Sequence, residues 1–490
     1  IERLCLVQIT GGYDMKRVYR VYKKTVSLVD ETAAGMYQNL AGNKTGFLLE
    51  SYDKSYDRFT VFGVNPEEIV RSNGQSLEIL YADGRIRRKE GNPLELLKEY
   101  YSEFEIRKEA GDAGFSGGLV GNLGYDFIRY TEQVPDKNPD EIGIDSIQMM
   151  WVKECIVADL LAETITAVVL EADSGEGKAL ALEKAEKLLH AVRAKPEEEK
   201  LFEPDGRIVN TSDTPEEYIQ KVQKIKQYIK EGHVFQTVLS QRWTVETGLS
   251  GFEIYRKLRR LNPSPYLYYF NYGSFEVIGS SPEMIVKKQG DRMYTCPIAG
   301  TRKRGQDDIQ DDRLKRELLA DEKERAEHVM LVDLARNDMG KVSAFGSVKV
   351  TEFMDVKKFS HVMHLVSKVE GRRQKELHPL DLAASFLPAG TLSGAPKIRA
   401  MEIIDELEKV KRGLYGGATG YIDFSGDMDF CITIRTMVKR NGTVYLQAGA
   451  GIVADSVPER EYEECCHKVM ALASTLIPDG VRIRNQEVCK

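Results

Sequence analysis

The sequence has little of what disulfide scaffolds, membrane helices and nucleotide loops require. Its 490 residues include seven cysteines (Cys5, Cys155, Cys296, Cys431, Cys465, Cys466 and Cys489), odd in number, scattered and without a CxxC spacing. Neither a disulfide framework nor a zinc site is indicated, and a reducing cytosol is expected. The longest apolar run, near 155–170, is broken by Asp159 and Glu163, short of the ~20 apolar residues that span a bilayer. No secretory pattern opens the sequence; Met15 is its first methionine, and residues 1–14 read as an unmatched segment. Basic residues cluster only briefly, at Arg302–Arg304 and Arg372–Lys375, against a net charge of −7, which argues against a nucleic-acid surface. GxxxxGK[ST] is missing, and Gly449-Ala450-Gly451 lacks the third glycine of a dinucleotide loop.

What is present describes a soluble globular chain, 42% hydrophobic and 30% charged, long enough for two domains or one large composite domain. The stretch 195–214, rich in charge, proline and turn formers, reads as a connection between two halves, or equally as a long loop within one domain. At its end Thr214-Pro215-Glu216-Glu217 predicts a capped helix start, followed by an apolar stripe at Tyr218, Val222, Ile225 and Ile229 and a left-handed stop at Gly232. Strands are expected at 234–245, 266–270, 274–278, 430–438 and 443–446, the last two joined by Asn441-Gly442. Helices are expected at 313–336, 398–409 and 458–476. Hairpins interspersed with helices favour an α+β layered fold over a doubly wound sheet.

Two helical segments each place carboxylates three apart: Glu324 and Glu327, and Glu461 and Glu464. Converging helices would let such pairs hold a hard dication; solvated helix faces are the bland alternative, and spacing alone favours it. Lys468 lies one turn after Glu464. Gly-rich stretches at 299–301, 388–397 and 447–451 offer backbone amides to an anion, or are simply turns. His361 and His364 are proton carriers or ordinary packing residues. Arg435, read as lying on a strand, is a carboxylate clamp or a surface ion-pair partner.

Taken in order, GHVFQTVLSQR, GSSPE, PIAGTRKRG, KERAEHVMLVDLARND, SHVMHLVS, PAGTLSGAPK, RGLYGGATGY, QAGAGIVADS and PEREYEE resemble the blocks of the chorismate-utilising enzyme family. FLLES, FGVNP and GGLVGNLGYD resemble the N-terminal regulatory half of its anthranilate-forming branch. The resemblance implies a two-subdomain α/β sandwich, with large antiparallel sheets flanked by helices. It also implies a regulatory half at 15–194, a linker at 195–213, a catalytic domain at 214–475 and a tail at 476–490. Mg²⁺ would be held by Glu327 and Glu464, supported by Glu324 and Glu461. Gly300, Thr301, Tyr415, Arg435, Gly449, Ala450, Gly451 and Lys468 match substrate-binding positions. Glu283 matches a general acid, and His364, with Thr391 nearby, matches the group serving loss of pyruvate.

Gln236 stands where water-adding relatives carry a lysine base, which fits ammonia attacking directly. The implied reaction converts chorismate and ammonia to anthranilate and pyruvate through 2-amino-2-deoxyisochorismate, the first committed step of tryptophan biosynthesis. The aminodeoxychorismate-forming branch is the alternative; a silent regulatory homologue is a further one. No GxCxG turn of a glutamine amidotransferase occurs, so a separate glutaminase subunit is expected to supply ammonia. Glu50 and Ser51, with Pro265, Tyr266 and Leu267, resemble a pocket through which tryptophan inhibits.

Overall fold

The computed structural model describes residues 16–28, 32–51, 59–72, 74–109, 114–193, 202–359 and 362–478. The segment expected at 1–14, part of the expected linker, His361 and nearly all of the 476–490 tail lie outside them. The fold is α+β, as expected, with a 13-stranded and a 12-stranded sheet flanked by helices. Among the described residues, strand pairing is antiparallel throughout except for Arg17–Ser27 against Phe104–Arg107.

Both sheets run across both halves of the chain. In the first, Gly46–Glu50 pairs with Tyr266–Asn271; in the second, Gly118–Leu123 pairs with Ala418–Asp423. One apolar cluster packs the helices Ala33–Ala41, Gly175–Val192, Pro215–Lys230 and Pro458–Ala473 onto the first sheet. A second joins Pro93–Ser102, Glu322–Val342 and Pro379–Phe386 to the other.

The helix at Pro215–Lys230 forms for the reasons legible in its sequence. Thr214 Oγ1 accepts from the Glu217 amide (3.3 Å) and the Glu217 carboxylate accepts from the Thr214 amide (2.9 Å). Tyr218, Val222 and Ile225 are fully buried, and Gly232 takes φ +82°. Tyr218 donates its hydroxyl to the Leu239 carbonyl (3.0 Å), tying this helix to strand Gln236–Glu246.

Two expectations need correction. The helix expected at 313–336 is two helices, Asp308–Ala320 and Glu322–Val342, because Asp321 turns out of the helix and caps the second, accepting from the amides of Lys323 (3.1 Å) and Glu324 (3.2 Å). The strand expected at 430–438 is also two, Met428–Ile432 in one sheet and Thr436–Arg440 in the other. Continuous β-rich composition hid the crossing. Among the described residues no helix is long and apolar enough to cross a membrane.

Candidate active site

The chain passes between the sheets twice at one place. Strand Glu276–Ser281 belongs to the first sheet and Met284–Gln289 to the second, with Glu283 at the crossing; the return, from Ile432 to Thr436, carries Arg435 at φ +48°. The crossings are stitched together: the Ile432 amide donates to the Glu283 carbonyl (2.9 Å), and the Ser280 amide to that of Arg435 (3.1 Å). An acid and a cation are thereby fixed on one wall. Arg435 therefore does not sit on a strand face.

Glu283, Arg435, Ala299, Gly300, Thr301, Ile434 and His364 line a cavity of about 360 Å³. Desolvation pushes the Glu283 carboxyl up to about 7, against the pull of a hydrogen bond from Thr391 Oγ1 (3.2 Å) and the charges of Arg435 and Lys468. Arg435 is open to the cavity yet ringed by protein, and this desolvation lowers its pKa.

Gly300 occupies a bulge, φ +61°, between strand Ile298–Lys303 and strand Val362–Arg372, where a Cβ would crowd Leu318 Cδ1 at 3.0 Å. The bulge turns its carbonyl to His364 Nδ1, 2.9 Å away. A carbonyl only accepts, so the proton lies on Nδ1 and Nε2 keeps its lone pair in the neutral ring. Thr301 Oγ1 lies 3.1 Å from the same Nδ1. Burial lowers the His364 pKa and favours that neutral form.

Strand Thr443–Ile452 brings Gly449, Ala450 and Gly451 beside strand Gln236–Glu246. A Cβ at Gly449 would meet the Leu239 carbonyl at 2.8 Å and the Tyr415 hydroxyl at 3.1 Å, and one at Gly451 would strike Gln236 Nε2 at 2.5 Å. Gln236 is buried, and its Oε1 has no hydrogen-bond partner among the described residues. Lys468 reaches back from its helix, donating to the Gly449 carbonyl (2.9 Å) and pairing with Glu464 (2.7 Å).

The four other glutamates lie in two helices. Burial and the charges of Glu324 and Glu464 raise the Glu327 pKa; burial and Glu464 raise that of Glu461. Glu324 is engaged by Arg302 (3.2 Å) and Glu464 by Lys468. Among the described residues no three acidic, histidine or cysteine side chains converge into a ready-made metal cage. Mg²⁺ ordinarily takes only one or two protein carboxylates and completes its shell with water and substrate, so mutually repelling Glu327 and Glu464 fit it.

The five residues expected to form an effector pocket line a second cavity, of about 140 Å³. Glu50 is already engaged there by Tyr255 (2.7 Å) and by both Nε and Nη2 of Arg259 (2.8 and 2.7 Å). Sequence reasoning passed over Arg412 and Glu408, a fully buried pair beside Thr391; in a chain so rich in charge, an acid four residues before an arginine signals nothing special.

Residues 45–474 match the family of chorismate binding enzymes, and the chain belongs to it. It is 45% identical to anthranilate synthase component 1 of Acetivibrio thermocellus over 462 residues, covering 92% of this chain and 94% of that one. The component 1 of Thermus thermophilus is 43% identical, with 94% and 98% covered. The crystal structure of anthranilate synthase component I from Streptococcus pneumoniae superposes with a TM-score of 0.76 at 37% identity, covering 85% of this chain and 92% of that one.

Proposed function

We propose that this chain is the large subunit of an anthranilate synthase, converting chorismate and ammonia to anthranilate and pyruvate. The observation that carries the reading is the pairing, at the two adjacent crossings between the sheets, of a carboxylic acid whose pKa is pushed up to about 7 with a guanidinium that faces the same pocket. Likeness to anthranilate synthase component 1 over nearly the whole chain supports it.

Arg435 and Lys468 pair with the carboxylates of the dianionic substrate, aided by Tyr415 and the 449–451 backbone. Glu283, protonated, gives its proton to the ring hydroxyl; that C–O bond breaks, water leaves, and the ammonia lone pair forms the C–N bond. Gln236 removes no proton, since an amide is no base; ammonia needs no deprotonation before it attacks. The amine then sheds its surplus proton. His364 Nε2 takes the ring proton, the electrons of that C–H bond complete the aromatic ring, and the enolpyruvyl C–O bond breaks; the enolpyruvate released takes up a proton at its methylene carbon to become pyruvate. Glu327 and Glu464 would hold Mg²⁺, with Glu324 and Glu461 in support. When bound, the ion supplies Lewis-acid neutralisation of one substrate carboxylate.

Ammonia comes from a separate glutamine amidotransferase subunit in the cytosol. Tryptophan inhibits through the second cavity, with Ser51 and the wall from Pro265 to Leu267 contributing more than the already engaged Glu50. The test is fluorescence on mixing the chain with chorismate, Mg²⁺ and an ammonium salt. Anthranilate fluoresces; aminodeoxychorismate does not, and its accumulation would move the chain to that branch. Repeating the assay with tryptophan, and with a Ser51 variant, tests the effector site.

A further inference from the structure

Arg412 and Glu408 form a buried ion pair (2.6 Å) whose side chains are 1% and 4% exposed. A buried pair gains little net stability from its own attraction, so its other contacts carry the interest. Arg412 donates to the carbonyl of Leu392 (2.6 Å), the neighbour of Thr391, and to that of Val238 (2.8 Å), two residues beyond Gln236. The Val238 amide in turn donates to the Ser393 carbonyl (2.9 Å). Glu408 accepts from the amide (2.8 Å) and hydroxyl (2.7 Å) of Ser240. The guanidinium lies 4.6 Å over the Tyr125 ring and 5.7 Å from that of Tyr415. One rigid fork thus clamps the Gly390–Leu392 turn onto strand Gln236–Glu246.

We infer that Arg412, held by Glu408, is a positioning residue that keeps the Thr391 hydroxyl on Glu283 and so sets the acidity of the general acid. The inference rests on the reading of Glu283 above. Among the described residues, the charged and titratable groups facing Glu283 are Arg435 and His364 from the pocket, Lys468 from its helix through its charge, and Asp338 across a small cavity behind it. None of these touches Arg412. Thr391 is therefore the route by which the clamp is felt: its hydrogen bond favours the ionised carboxylate, and losing it makes Glu283 a weaker acid.

The experiment measures kcat/KM against pH, at constant free ammonia, for the full chain and its Arg412→Lys, Thr391→Val and double variants. Lysine keeps the charge but not the fork. Each single variant is expected to move the alkaline limb upward by about 1–2 pH units, the worth of one hydrogen bond to a charged group. The double variant should move it no further, since both act through one contact. If Arg412→Lys folds poorly, Ser240→Ala, which removes one donor to Glu408, should move the limb in the same direction by less. An unmoved limb in the folded variant, or additive shifts in the double variant, overturns the clamp. A Glu283→Gln variant that keeps the limb overturns instead the reading of Glu283 as the acid.

Discussion

Glu283 and His364 line one pocket, and desolvation moves them oppositely: it favours the neutral acid at Glu283 and the neutral base at His364. In the proposed reaction the active form carries a proton on the first and none on the second. At constant free ammonia, kcat/KM should therefore fall as pH rises through about 7, and should fall on the acid side only below the ordinary imidazole range. Glu283→Gln should lower turnover by about 10²–10⁴-fold. The same variant should be more stable than the parent at alkaline pH. A raised folded-state pKa contributes stability that is complete below the ordinary carboxylate range and is lost as pH passes about 7. The neutral amide escapes that loss, on the order of 1–3 kcal/mol, readable in denaturant melts at two pH values. At the proposed metal site, Glu327→Gln should raise the Mg²⁺ concentration needed for half-maximal turnover, and affinity for the ion should decline on acidification, because a raised carboxyl pKa makes protons stronger competitors. Side-chain types were legible in the sequence. Their environment was not: the bulge that turns the Gly300 carbonyl to His364, and the engagement of Glu50 by Arg259, come from residues far apart in the chain.

Among the elements, two with local signatures were read correctly. The capped helix at Pro215–Lys230 and the hairpin turn at Asn441-Gly442, with φ +52° and +78°, are dictated by neighbouring residues. One of the two misread elements was decided at long range. Nothing near 432–436 states that the chain leaves one sheet for the other; only pairing with Ala418–Asp423 on one side and Glu276–Ser281 on the other does so. The break at Asp321 was legible in principle, as an aspartate followed three residues later by Glu324. It matters because this cap starts the helix that carries Glu324 and Glu327, and Arg302 is anchored on it (2.7 Å). Asp321→Ala should cost about 0.5–2 kcal/mol in chemical denaturation and should weaken Mg²⁺ response in parallel. An unchanged Mg²⁺ response in a destabilised variant would separate the cap from the site.

The molecule as a whole is not two independent bodies joined by a connector. Each sheet takes neighbouring strands from both halves, so hydrogen bonds as well as apolar contacts cross the boundary read near residue 194. Residues 16–193 expressed alone should fail to give a cooperative unfolding transition, and should recover one on mixing with residues 202–478; a sharp melt of the first fragment by itself would count against this.

That sharing also bears on how the chain comes off the ribosome. Gly118–Leu123 waits for a partner that begins at Ala418, almost three hundred residues later. At ~5–20 residues per second, its edge stays uncovered for tens of seconds during synthesis. Throughout that interval it is a template open to any passing strand. The nascent chain should therefore depend on holding chaperones, far more than the finished enzyme's stability would suggest.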